Sequence, residues 1–405
     1  MMAAMIALRR WLDAVACAAC LALAALGLAA APGPARARTL PYGAMGVQLE
    51  ATATDPGTVG SAALDAQFGL MARSGVESLR TALAWRDAEP LPGIYRWRRA
   101  DRIVRAAARH GIELLPVVIE TPQWASERPL DSRFNLFVPR DPRMLGRFLR
   151  AAVRRYGPRG RFWRANRRIP YRPIRRWQVY NEPSHVGSYK SQPWTSTLPP
   201  LLAAAHAALH AADPGAVLVA PAFAGTPGNW AWDEVRQLYA AGAKGSFDAI
   251  AINQYTTGDE ISVDDSVQHQ AMVLANVLDE IRKAGDAGTP VYLTEFGWTA
   301  ALGKLPSSQV TGFETTPAGQ AQRLAAFYQW MAQDRPAGLA RAYWYTWGSS
   351  YDANDPNRST FDFSGLTRWS PGDTFTPLPL LDAYRRSAIR WEGCAKSSNA
   401  RRCAS

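Results

Sequence analysis

The chain has 405 residues, 47% of them hydrophobic and 20% charged, with a formal net charge of +12. That composition excludes a disordered chain and leaves room for a large core, and single α/β barrels use this length. The positive charge is confined: residues 140 to 176 hold 14 Arg against the lone Asp141, while the remainder is close to neutral.

A nucleic-acid partner is therefore not expected. In a chain using 41 Arg and 5 Lys the segment reads as a solvated arginine-rich face. A patch for an acidic polymer, such as a uronic-acid polysaccharide, is the other reading.

At the amino terminus, Arg9 and Arg10 precede an unbroken apolar run from Ala14 to Ala31, then Pro32-Gly33-Pro34 and the small-residue triplet Ala35-Arg36-Ala37. This is the pattern of an export signal over residues 1–37 with cleavage near Ala37. A retained single-span anchor is the competing reading, because the run just reaches spanning length. Cleavage gives a secreted, periplasmic or cell-surface protein with no stable membrane span. It also removes Cys17 and Cys20, leaving Cys394 and Cys403 in a polar tail over 392–405, where an exported chain would link them in one disulfide. No metal site is expected from those two thiols.

The body, residues 38–391, alternates strand-like apolar runs with helix-periodic stretches. The strands are expected at Gly43–Leu49, Val76–Thr81, Ile112–Ile119, Trp177–Tyr180, Ala216–Pro221, Phe247–Ile252, Pro290–Thr294 and Ala342–Thr346. Helices are expected at Ala100–His110, Met144–Tyr156, Leu198–Ala212, Val267–Ala284, Gly319–Gln333 and Leu378–Arg386. Eight such strands without a dinucleotide-binding glycine fingerprint predict an α/β fold, a single (β/α)8 TIM barrel. No internal repeat or linker divides the body, and a monomer is expected.

Carboxyl ends of barrel strands face the active site, so they can be read as candidate chemistry. They carry Arg80, Trp85, Asn181, Glu182, Asn253, Tyr255, Glu295, Trp344 and Trp347. Two glutamates, after Trp177-Gln178-Val179-Tyr180-Asn181 and within Leu293-Thr294-Glu295-Phe296, suit glycoside hydrolysis. A retaining glycosidase needs one carboxylic acid and one carboxylate roughly 5 to 5.5 Å apart. Of the 15 Trp, Trp85, Trp298 and Trp347 lie nearest these ends in sequence and are the sugar-stacking candidates.

Asn181-Glu182-Pro183 after a Trp-initiated strand, and Glu295-Phe296-Gly297-Trp298 late in the chain, resemble the two signatures of the clan A retaining glycoside hydrolases, the superfamily of families 5 and 39. Leu79-Arg80 through Trp85, Glu89-Pro90 and Gly93-Ile94-Tyr95 is similar to the clan's second strand and loop, and Phe247-Asp248-Ala249-Ile250 to its sixth strand. The resemblance implies that Glu182 is the acid/base, Glu295 the nucleophile, Asn181 a ligand of the sugar 2-hydroxyl and Tyr255 a hydrogen-bond partner of Glu295. Arg80 would hold Glu295 ionised while Glu182 keeps its proton. Many relatives have His where this chain has Asn253, which is taken as a substrate contact.

The expected activity is hydrolysis of β-linked poly- or oligosaccharide, acidic ones included, by double displacement without a metal or organic cofactor. Two alternatives stay open: a non-catalytic carbohydrate-binding barrel, and a polyanion-binding cell-surface protein organised around the arginine segment. Intact-mass analysis of secreted material should give a chain starting shortly after Ala37 with Cys394 and Cys403 linked. Recovery of residues 1–30, or two tail thiols alkylated without reduction, would contradict this.

Overall fold

A computed structural model describes residues 38–392 except 51, 58, 226–227, 257, 259–260, 335–337, 350–358 and 371–373. The export segment and both tail cysteines lie outside the described residues. Eight parallel strands close into a barrel in sequence order: β1 (Met45–Leu49), β2 (Ser78–Ala84), β3 (Glu113–Ile119), β4 (Arg176–Val179), β5 (Val217–Phe223), β6 (Ala249–Tyr255), β7 (Val291–Gly297) and β8 (Leu339–Trp344). The barrel shuts where Gly46 of β1 pairs with Tyr343 of β8.

Around it lie α1 (Ser61–Arg73), α2 (Arg98–Arg109), α3 (Pro142–Tyr156), α4 (Trp194–Ala212), α5 (Ala231–Ala240), α6 (Val263–Lys283), α7 (Pro317–Gln333) and α8 (Pro379–Glu392). Their starts follow local chemistry. Asp141 caps α3 by accepting from the Arg143 amide, with Pro142 in the first turn, and Thr316 caps α7 with Pro317 in the same role. Helix α4 begins at Trp194, ahead of the expected Leu198. Pro199 and Pro200 are tolerated inside it while Trp194 packs on Phe223. No helix among the described residues is long and apolar enough to cross a membrane.

Several strands run further than the apolar pattern predicts. Strand β2 continues to Ala84 and β6 to Tyr255, so Arg80 and Asn253 lie within strands rather than at their ends. Likewise β7 runs through Glu295 to Gly297. The polar residues at which the apolar runs stop are paired inside the barrel, and a paired polar side chain does not end a strand.

The barrel interior is layered. At the amino-terminal end Glu113 accepts from Arg341 at 2.7 Å and from Arg176 at 3.2 Å. Above it Tyr292 and Tyr343 pack with Leu115, Val219, Ala222, Ala249 and Ala251, large rings against small residues. Gly46 belongs to this fit, since a Cβ there would come 2.5 Å from Tyr343 Cδ1 and 2.8 Å from Ser78 Oγ. Gly46→Val should destabilise the fold by about 1–3 kcal/mol through overpacking. An unchanged urea midpoint would refute this account of the layer.

Candidate active site

Arg80 is the centre of the carboxyl-terminal mouth. Its side chain is 2% exposed, and its guanidinium donates to four side-chain acceptors. Nη1 reaches Glu295 Oε1 at 2.7 Å and Gln48 Oε1 at 3.0 Å; Nε reaches Gln178 Oε1 at 2.7 Å; Nη2 reaches Asn181 Oδ1 at 2.8 Å. A buried guanidinium stays charged, so each acceptor lowers its desolvation cost. Because Arg80 holds the Asn181 oxygen, the Asn181 amide nitrogen is left to donate elsewhere.

The two glutamates arrive by different local devices. Between β6 and β7 the register shifts: Ile252 pairs with Leu293, yet Asn253 pairs with Glu295, skipping Thr294. This irregularity re-aims the strand and sets Glu295 beside Asn253. Thr294 Oγ1 then donates to Asn253 Oδ1 at 2.8 Å, which fixes the Asn253 amide so that its nitrogen donates to Glu182 Oε1 at 2.7 Å. Glu182 itself has φ of 43°, and Tyr180 (54°) and Glu120 (62°) are also left-handed. All three sit just past strand ends at the mouth, where such backbone is held only if surrounding contacts impose it. For Glu182 one such contact is its amide, bonded to the Ala222 carbonyl at 3.0 Å.

The Glu295 carboxyl accepts from Tyr255 OH at 3.0 Å as well as from Arg80. Burial nevertheless pushes it up to about 7; Arg80 pulls the other way, while the Glu182 and Glu50 carboxylates push upward. The expectation that Arg80 and Tyr255 would simply keep Glu295 ionised is thereby corrected. Desolvation outweighs the single counterion, and near neutrality Glu295 is divided between its two forms. Burial and the neighbouring Glu295 charge raise the Tyr255 phenol well above its ordinary range, so it is a donor only.

Sequence reasoning missed three participants. Glu50 follows β1 and acts on both Glu295 and Tyr345. Tyr345 follows β8 and meets Tyr255 edge-on, the ring centroids 6.2 Å apart. Glu234, fully buried on α5, accepts from the Gly225 amide and from Asn229, both at 3.3 Å. Burial pushes Glu234 up to about 7, with the Glu182 carboxylate contributing. Glu50 and Tyr345, each placed directly after a strand, carried a readable signal; Glu234, on a helix, did not.

The three tryptophans expected to stack on sugar are corrected. Trp85 is 1% exposed, donates to Glu89 Oε2 at 2.8 Å and stacks on Phe148; Trp298 and Trp347 are 0% exposed. Trp298 packs near Trp344, and Trp347 is held between β1 and a small three-stranded sheet, its amide donating to Gln48 O and its carbonyl accepting from Thr367 N. Partly exposed aromatics at the mouth are instead Tyr255, stacked on Phe313, together with Phe361 and Tyr345. On the loop after β5, Trp230 is 49% exposed and lies flat on Trp232, with centroids 4.8 Å apart. The arginine-rich segment forms α3, the short helix 161–165 and the approach to β4. Arg155, Arg175 and Arg176 there pair with Asp101, Asp213 and Glu113.

Compared by sequence, the chain matches no protein-family model and no curated protein. Solved structures do resemble it. A family 39 glycoside hydrolase from the gut symbiont Bacteroides cellulosilyticus WH2 superposes with a TM-score of 0.59 at 19% identity, covering 86% of this chain and 64% of that one. A glucosidase from Croceicoccus marinus gives 0.59 at 14% identity, covering 88% and 69%. An endo-β-1,4-mannanase from Thermotoga petrophila gives 0.54 at 14%, covering 88% and 78%. At these identities the likeness is one of fold, and this chain spans under two thirds of the family 39 enzyme's length. The (β/α)8 barrel expected from the sequence is matched at that level.

Because the Glu182 charge raises Glu295, Glu182→Gln should let Glu295 ionise at lower pH. Titrating the labelled carboxyl carbons by NMR should place Glu295 near pH 7 in the parent and lower in the variant. An equal or higher midpoint in the variant would refute the coupling.

Proposed function

We propose that this chain is an exported retaining glycosidase acting on β-linked poly- or oligosaccharide, with Glu295 as nucleophile and Glu182 as acid/base. One observation carries the reading. The glutamates after β4 and within β7 belong to one hydrogen-bonded unit, in which Arg80 holds Glu295 and Asn181 while Asn253, register partner of Glu295, holds Glu182. A pair serving only to neutralise charge would place each carboxylate on its own cation. Here the only cation in that hydrogen-bonded unit is on Glu295, and Glu182 Oε1 takes a neutral amide donor.

The chemistry follows from that asymmetry. Ionised Glu295 attacks the anomeric carbon as Glu182 passes its proton to the departing glycosidic oxygen, so the C–O bond breaks and a glycosyl ester forms. The ester has no charge, which lifts the repulsion on Glu182. Glu182 then takes a proton from water, the resulting nucleophile attacks the same carbon, and Glu295 leaves as carboxylate. Arg80 stabilises that carboxylate at both ends of the cycle, and the Tyr255 hydroxyl donates to its second oxygen. Asn181, its oxygen fixed by Arg80, presents N–H toward the sugar.

Other features support parts of the reading. The exposed Trp230–Trp232 stack beyond the mouth supports a chain-like substrate, since flat aromatic surface takes the apolar face of a sugar ring. Export rests on the residue pattern of 1–37. The neighbour named as an endo-β-1,4-mannanase supports a β-linked substrate without choosing the sugar.

Azide separates the two roles. Glu295→Ala should lose several orders of magnitude in the chemical step whatever the leaving group. Glu182→Ala should retain glycosylation by aryl β-glycosides with good leaving groups and stall in deglycosylation. With azide, the Glu182 variant should yield a β-glycosyl azide and the Glu295 variant the α-anomer. The same anomer from both would reverse or remove the assignment, and undiminished activity in either would exclude that residue.

A further inference from the structure

Far from the mouth, three metal-ligating groups converge. His206 and His210 are four residues apart on α4 and so share one face of the helix. Asp248 immediately precedes β6, at the amino-terminal end of the barrel, opposite Glu182 and Glu295. His206 Nε2 lies 3.3 Å and His210 Nε2 3.2 Å from the same oxygen, Asp248 Oδ1. One ligand atom from each residue can be chosen so that all three fall within 4.8 Å of one another.

We propose that His206, His210 and Asp248 form a binding site for a zinc-class divalent cation that ties α4 to the start of β6. Bonds of about 2.0–2.2 Å around a tetrahedral ion put ligand atoms about 3.3–3.5 Å apart, the separation both imidazoles already keep from Oδ1. Two imidazoles and one carboxylate form a donor set that favours zinc and its transition-metal neighbours over magnesium or calcium, which take oxygen. The carboxylate is oriented from behind, because Asp248 Oδ2 accepts the Leu218 amide at 2.7 Å. Without an ion, both rings turn Nε2 to the one carboxylate, His210 lying 3.0 Å from Oδ2 as well as 3.2 Å from Oδ1. With one, both turn their lone pairs to the metal. The side chains are 27%, 30% and 27% exposed, which gives the ion a way in and leaves its fourth position to water.

The test uses tag-free protein stripped with EDTA and dialysed. Titration with Co2+ should produce the visible absorption of tetrahedral nitrogen–oxygen coordination at one ion per chain, and Zn2+ should displace it and raise Tm, reversibly with EDTA. His206→Gln and His210→Gln should each weaken binding by more than the roughly 10–100-fold that outer-shell changes cost, and should remove the Tm response. His185→Gln, at the opposite face, should leave both intact. Equal binding by parent and both α4 variants would overturn the proposal, as would an octahedral cobalt spectrum or no zinc-dependent change in Tm. Melting in EDTA shows that the variants are folded, and the cobalt spectrum reads the site independently of stability.

Discussion

The buried guanidinium of Arg80 is the constraint on which this molecule turns. A charge withdrawn from water must be met on its donors, and here the acceptors come from residues 48, 178, 181 and 295, supplied by β1, β4, the turn after β4, and β7. None of these is near Arg80 in sequence. Their meeting requires the strand order and the register of the closed barrel, so the same contacts that hold the mouth together specify its geometry. A one-residue slip of β2 would turn Arg80 out of the barrel and leave three amide oxygens and a carboxylate buried without their donor.

The same burial sets the electrical tension of the site. Glu295 has a counterion at 2.7 Å and is still pushed up to about 7, with Glu50 and Glu182 adding negative charge. In linkage the sign is clear. A carboxyl raised from its ordinary value contributes to stability below about pH 4.5, and that contribution is lost as pH rises toward 7, of order 3 kcal/mol. The ionised form that the proposed chemistry requires is therefore the form the fold tolerates least. In that proposed reaction a sugar entering the mouth meets a carboxylate under repulsion, and forming the ester relieves it.

The two ends of the barrel divide the work. At the amino-terminal end Glu113 is shared by Arg176 and Arg341, beneath a layer in which Tyr292 and Tyr343 fill space left by Ala249, Ala251 and Gly46. The carboxylate there is met by two cations, and the packing leaves no room for a side chain at position 46. At the carboxyl-terminal end the Glu50 and Glu182 carboxylates act on Glu295 against the pull of Arg80, backbone is left-handed at Glu120, Tyr180 and Glu182, and aromatic rings stand partly open. Function collects where the fold is least relaxed, and the opposite face supplies the stability that permits it.

Much of this was legible in the residues. All eight strands have recognisable apolar runs, because a parallel barrel strand is buried on both faces, and the glutamate motifs stand out because a carboxylate directly after such a run is unusual. Helices α1 and α5 gave weaker signals: α1 is rich in Ala with little contrast between its faces, and α5 is short. Strand ends were read too early at Arg80, Asn253 and Glu295, where polarity marks an interior network and not a turn. Tryptophan roles were not legible at all. Trp85, Trp298 and Trp347 are near the mouth in sequence yet sealed in packing, while Trp230 is open, and only the direction of each side chain decides this. The sequence by itself determined the barrel and the identity of the two carboxylates, since periodicity and residue chemistry are local. Tertiary structure alone decided their shared network, the irregularity at Thr294 that sets Glu295 beside Asn253, and the burial that raises Glu295, because each depends on groups brought together by the closure of the barrel.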